Sequence, residues 1–480
     1  MEANRVSRNV AAGLLALALL PLAGTALSKP VTCPSVDPAP LKFGKPVFID
    51  EHRAGGEPVS VVAQDGSISV SAHAGTTHLY KNPDAAPGIE DFAVGYYNQT
   101  LNWRSTDGGK TWKYVGLMGR EDGPHSATSS GFSDPDFTMD AGGRIYNVEI
   151  NLANVAVFSS SDDGQSYPRA NPIAASGDRP WVTGGEKDEV YLLVSGPSQL
   201  WRSTNGGLTY TLISDQFPVQ DKLLIDPLNP KTGLIGGTTG GVAISKDDGV
   251  TWDIYEPHKL GIFTAFFLVP AVDRAGWIYS VRAGGYGGPG DTEPSGEVTY
   301  NYFNRSTKKW GRPVQIPTPK GDALWPWVIA GDEGRVAVTW YQTHASDPRK
   351  FYVYVAYSMN GHGSNVRCSD GSTRFVPPQF EVVNASGRPI HIGQICQGGV
   401  GCNTNLTEGG DRRLGDFFTI NFDHAGRLFV VSADTTLTNP LEGPKPVGNP
   451  IFIPQIAGDR MLEKPDKIRK TRPLCAEPNC

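Results

Sequence analysis

Charged and aromatic side chains recur in this chain at the head of a repeated apolar stretch. In order they are Arg53 and Glu57, Asp134 and Asp136, Asp178 and Arg179, Asp221 and Lys222, Trp325 and Trp327, then Arg412, Arg413 and Asp416. Brought to one mouth, the guanidinium forks would grip a carboxylate through two bonds, the indole faces would stack on sugar rings, and the carboxyls would move protons. The same set could also satisfy itself as a ring of ion pairs around a wet channel. Other chemistries lack their patterns. There is no HExxH, EF-hand loop, P-loop, GxSxG elbow or CxxC pair. No cofactor or catalytic metal is expected, and a structural calcium is the one ion left open.

The elements that must position these residues repeat. The stretch STDGGKTW at 105–112 returns as SSDDGQSY at 160–167, STNGGLTY at 203–210 and SKDDGVTW at 245–252. In each, an Asp or Asn can accept backbone N–H bonds across a tight turn, a Gly supplies positive φ, and an aromatic restarts a strand. The starts at 105, 160, 203 and 245 lie 55, 43 and 42 residues apart, the length of one four-stranded sheet in a radial array. A second pattern, apolar strand, Asp/Gly turn, apolar strand, begins near 57, 134, 178, 220, 265, 324 and 414. The seven starts predict an all-β, seven-bladed β-propeller of four-stranded antiparallel blades, with six blades as the alternative. Its charged residues would meet at one rim of the central channel.

Length and composition fit this reading. The 480 residues contain 57 Gly and 38 Pro, the make-up of strands joined by turns. Arg5 and Arg8, the apolar run 11–24 and small residues near Ser28 read as a signal peptide over 1–28, too short to span a bilayer. A Pro-rich lead follows at 29–44, the propeller at 45–460 with a Cys-containing loop insertion at 383–413, and a tail at 461–480. Export implies a secreted or surface protein and turns the six Cys toward disulfides. One bridge is expected between Cys33 and Cys475 or Cys480, another within the insertion. A net charge of −6 gives no nucleic-acid surface, and a monomer is expected.

The four-fold motif resembles the Asp-box (BNR) repeat of the sialidase-like propellers, over 105–252. That resemblance implies a site in which three Arg hold a substrate carboxylate, a Tyr acts as nucleophile and carboxyls handle protons. Here the implied holders are Arg53, Arg179 and Arg412, with Asp416 and Trp325 at the mouth. Tyr341 or Tyr286 is the nucleophile, and Glu57 and Asp136 are the catalytic carboxyls. The family's Arg-Ile-Pro motif is absent; HRAGGEP at 52–58 and DRPW at 178–181 come nearest. The expectation is a glycoside hydrolase acting on an acidic sugar. Its alternatives are a non-catalytic propeller binding a glycan or protein, and a polysaccharide lyase with His73 or His78 as base.

Overall fold

The structure is a computed structural model. It describes residues 31–74, 79–81, 90–92, 100–117, 133–151, 154–196, 198–216, 218–219, 221–238, 241–256, 269–283, 296–396, 411–437 and 447–468. The predicted signal peptide, Tyr286, His78, Cys402, Cys475 and Cys480 lie outside the described residues.

Seven antiparallel sheets form the seven blades. Blade 1 runs through Gly56–Val62, Ile68–His73, Thr100–Ser105 and Lys113–Leu117. The innermost strands of the next five are Ser133–Met139, Asp178–Gly184, Leu224–Ile225, Ala271–Val272 and Ala323–Ala330. Blade 7 begins with Thr419–Phe422, continues through Leu428–Asp434 and Asn449–Ala457, and takes its outer pairing from the N-terminal strands Lys42–Phe43 and Val47–Phe48. The first and last parts of the chain thus share one sheet, which closes the ring and removes its edges. Among the described residues no helix is long and apolar enough to cross a membrane.

Local chemistry explains the hairpins. Asp140, Asp273 and Asp423 each accept two backbone N–H bonds from residues two and four positions on. The following Gly143, Gly276 and Gly426 adopt φ between 76° and 92°, which only glycine takes freely. The outer turns are the four repeats. In each the Ser hydroxyl accepts the N–H of the fifth residue, Gly109, Gly164, Gly207 or Gly249, at 2.9–3.0 Å. The fourth position, which the motif leaves free, is Gly108, Asp163, Gly206 or Asp248, all left-handed with φ between 59° and 75°.

Two features differ from expectation. Cys33 is bonded to Cys368, 335 positions away and not at the C-terminus. Cys368 sits at the head of a turn joining the extra hairpin Ser364–Arg367 and Thr373–Val376, and Thr32 and Ser369 exchange hydrogen bonds beside the bridge. Cys396 is disulfide-bonded as well. The stretch from 383, read as a strandless insertion, begins inside the strand Glu381–Asn384, the outer strand of blade 6.

Candidate functional site at the channel mouth

Five blades place the same backbone irregularity at the same level. Glu57, Asp134, Arg179 and Trp325, each near the start of an innermost strand, have φ between 51° and 53°, and Gly415, just ahead of blade 7's, has φ 80°. A left-handed conformation costs a non-glycine residue roughly 1–2 kcal/mol, and such strain persists where the surroundings over-determine it. The pairing slips at these points, between Gly56 and Val59 and between Leu324 and Trp327, which is a bulge that re-aims side chains.

Two residues deeper the strands turn a second layer inward. Trp181, Trp327 and Phe417 come from blades 3, 6 and 7, with ring centroids 5.4–6.0 Å apart. All three are buried and form an aromatic plug. Asp136, at the equivalent position in blade 2, is bound by Lys222 Nζ at 2.6 and 2.7 Å and by the Val182 N–H at 3.0 Å. This pair borders a separate chamber of about 320 Å³ with apolar walls that include Val61, Met139, Leu224, Ile329 and Phe422. Burial pushes the Asp136 carboxyl up, and Lys222 opposes it.

The mouth itself centres on Glu57, which is 0% exposed. Its Oε2 accepts hydrogen bonds from His73 Nε2 at 2.9 Å and from the Asp134 N–H at 3.2 Å; Oε1 accepts the Asp416 N–H at 2.9 Å, with Arg412 Nη2 at 3.8 Å. Burial alone would raise this carboxyl, but His73, Arg412 and the Asp134 N–H outweigh it and bring Glu57 down to about 2. Asp134 goes the other way. Burial raises it well above the ordinary carboxylate range, the charges of Glu57, Asp178 and Asp416 add to that, and one bond from Ser133 Oγ at 2.5 Å opposes it. The mouth therefore sets Glu57, drawn toward its ionised form, beside Asp134, pushed toward its protonated form. Arg412 forks onto both oxygens of Asp416, with Nη2 to Oδ2 at 2.6 Å. Asp178 is exposed and Arg179 half-buried at the same rim.

The three-arginine clamp is not assembled. Arg53 lies over the Tyr114 ring at 3.9 Å and bonds Asp50 at 3.0 Å, drawn to the outer strand of blade 1. Arg412 is buried and spent on Asp416. Tyr341 is not in the mouth either. It is fully buried, stacked on Phe418 at 3.9 Å and hydrogen-bonded to Ser432 at 2.7 Å, and burial pushes its phenol up, opposite to what a nucleophile needs. Trp325 is buried against Tyr341 and offers no open face. Glu57, Arg412 and Asp416 do come together with Arg179 close enough to act on Asp416; Asp136 sits a layer below. His73, considered as a base, is buried and committed to Glu57. Asp134 stands in the rim set, where sequence alone does not single it out as catalytic. The Ser133–Asp134 pair at the head of the strand Ser133–Met139 is its sequence signal.

No family model matches the chain, and no curated protein matches it in sequence. Among solved structures it is similar to a GH74 xyloglucanase from Xanthomonas campestris, at 11% identity and a TM-score of 0.45 over 87% of this chain and 55% of that one. It is also similar to an ancestral GH74 enzyme, at 12% identity and 0.43 over 88% and 48%, so the chain spans about half the length of these two proteins. A third similarity is to the intramolecular trans-sialidase from Ruminococcus gnavus, at 13% identity and 0.39 over 84% and 95%. Nothing about this chain's substrate follows from likenesses at this level.

Proposed function

We propose that the mouth is the active centre of a glycan-cleaving enzyme in which Asp134 is the general acid. The observation that supports this reading is a buried carboxyl at the channel rim, Asp134, pushed toward its neutral form by burial and three neighbouring carboxyls. A carboxyl that keeps its proton at neutral pH can deliver it to a glycosidic oxygen as the C–O bond breaks. Asp178, the exposed carboxylate whose charge acts on Asp134, is the partner that takes a proton from the attacking water or attacks the sugar itself; the separation of the two decides which. Half-buried Arg179 offers N–H donors to sugar hydroxyls.

The substrate class follows from the arginines. With Arg53 on Tyr114 and Arg412 on Asp416, Arg179 alone of the three expected arginines remains for a substrate carboxylate, while carboxyls crowd the rim. A neutral sugar suits this mouth better than the acidic one expected from sequence. The Cys33–Cys368 bridge supports a protein that works outside a reducing compartment. A glycan-binding propeller without catalysis is the second reading, favoured by an exposed Asp178 and a half-buried Arg179 above partners already satisfied.

The test is hydrolysis of neutral-sugar oligosaccharides and of a sialylated oligosaccharide, whose alcohol leaving groups need a proton where an umbelliferone does not, by protein lacking residues 1–28, beside Asp134→Asn. The expected result is turnover on a neutral glycoside that falls about 10²–10⁴-fold in the variant without a lower melting temperature. Turnover that survives in Asp134→Asn would remove the acid role. Binding to a glycan array with no turnover on any substrate would establish the second reading instead.

A further inference from the structure

We propose that Glu57 is the positioning residue of the mouth: from blade 1, its one buried carboxylate holds the backbones of Asp134 in blade 2 and Asp416 at the head of blade 7, fixing the acid and the Arg412–Asp416 pair relative to each other. This rests on the reading of Asp134 as the acid and deepens it. Sequence alone suggests direct catalysis for Glu57, but a side chain that is 0% exposed cannot touch a sugar.

Each oxygen of Glu57 reaches a different flanking blade. Oε2 takes the Asp134 N–H at 3.2 Å and Oε1 the Asp416 N–H at 2.9 Å, while His73, across the strand pair in blade 1, steadies Oε2 at 2.9 Å. Glu57 and Asp134 are both left-handed, with φ 53° and 52°, so each relies on its surroundings to stay so. The fit leaves no slack on the blade 7 side. A Cβ at Gly415 would come 2.1 Å from Glu57 Cγ, a spacing that requires something to move.

The carboxylate also sets where the proton sits. The charged groups facing Glu57 are His73, Arg412, Asp134 and Asp416; those facing Asp134 are Glu57, Asp178, Asp416 and Arg412, with Ser133 as its donor. Arg412 stands between Glu57 and Asp416, and Arg179 faces Asp416. Two adjacent carboxyls cannot both ionise cheaply; Arg412 acts on both, and the His73 imidazole bonds Glu57. The shared environment therefore favours the proton on Asp134. A residue that served packing alone would exert no such influence.

The test reads that proton directly and needs no substrate. Full-length mature protein carrying ¹³C-carboxyl aspartate is titrated by NMR, with the Asp134 signal assigned through Asp134→Asn, in the parent and in Glu57→Gln. In the parent the midpoint is expected above the ordinary aspartate value of 3.8; in Glu57→Gln it should fall by about one pH unit or more. A midpoint unchanged in Glu57→Gln overturns the proposal. Gly415→Ala, which displaces the same carboxylate by contact, should move it too, and a null shift there has the same force. Should neither variant fold, an Asp134 that titrates at its ordinary value in the parent overturns the proposal. Failure to cleave any glycoside would count against the enzyme reading and leave this titration standing.

Discussion

Glu57 and Asp134 share one hydrogen bond and are shifted in opposite directions, so they bend the stability curve in opposite directions. Glu57 is depressed from 4.5 to about 2 on folding. Its contribution is therefore fully present above the unfolded value and is lost as pH falls from about 4.5 to about 2, on the order of 3 kcal/mol. Asp134 is raised from 3.8. The folded state holds its proton more tightly, so stability is highest below the unfolded value and declines as pH rises from 3.8 toward the raised one. We expect melting curves of Asp134→Asn to lack that decline, making the variant at least as stable as the parent at pH 8. Curves of Glu57→Gln should lose the steep acid limb. Melting temperatures between pH 2 and 9 check both, and a parallel pH dependence in parent and Asp134→Asn would show that the buried acid is not linked to folding.

At the scale of elements, the four repeats reach beyond their own hairpins. The fifth-position glycine of each lies against the preceding blade. A Cβ on Gly109 would meet Phe452 of blade 7 at 2.2 Å, one on Gly164 would meet Ser69 of blade 1 at 2.5 Å, one on Gly207 Tyr146 of blade 2 at 3.4 Å, and one on Gly249 Leu200 of blade 3 at 2.3 Å. The turn thus joins blades as well as strands. Its neighbour separates the two effects, because Gly108 is also left-handed but a Cβ there meets nothing within 4 Å. Gly108→Ala should cost only the backbone conformation, about 1 kcal/mol, and Gly109→Ala that plus overpacking, about 2–4 kcal/mol. Denaturant midpoints check the difference, and equal midpoints would mean the glycine is needed for its turn alone. This also marks what the sequence made legible. Turn chemistry acts over four or five residues, so seven blades and four outer turns could be read from residue types. The mouth could not be read in the same way. Which way Arg53 points is decided by Tyr114 and Asp50, and the state of Glu57 by residues 16, 77 and 359 positions away. Residue spacing brought these charges to one rim but carried no information on which would neutralise which.

For the whole molecule the question is what keeps the ring shut. Pairing of Lys42–Phe43 and Val47–Phe48 with Asn449–Ala457 joins the chain's ends in blade 7, and Trp112 of the first repeat packs on Phe452 from blade 1 at 5.4 Å. The Cys33–Cys368 bond ties the lead ahead of those strands to the extra hairpin of blade 6. The closing strands are only two residues each, so they hold few ladder bonds and would fray first if the lead were free. A bridge across 335 positions removes on the order of 4–6 kcal/mol of unfolded-chain entropy in the loop-closure account, and it also keeps the fraying strands near their partner. Reduction would open Cys396 as well, so the clean perturbation is Cys33→Ser with Cys368→Ser. We expect this double variant to lower the denaturation midpoint and to raise backbone amide exchange first in 42–48 and 449–457, with the mouth residues protected until global unfolding. Exchange that rises evenly over all blades would mean that the bridge stabilises only through the unfolded chain and that the strands of blade 7 close the ring without it.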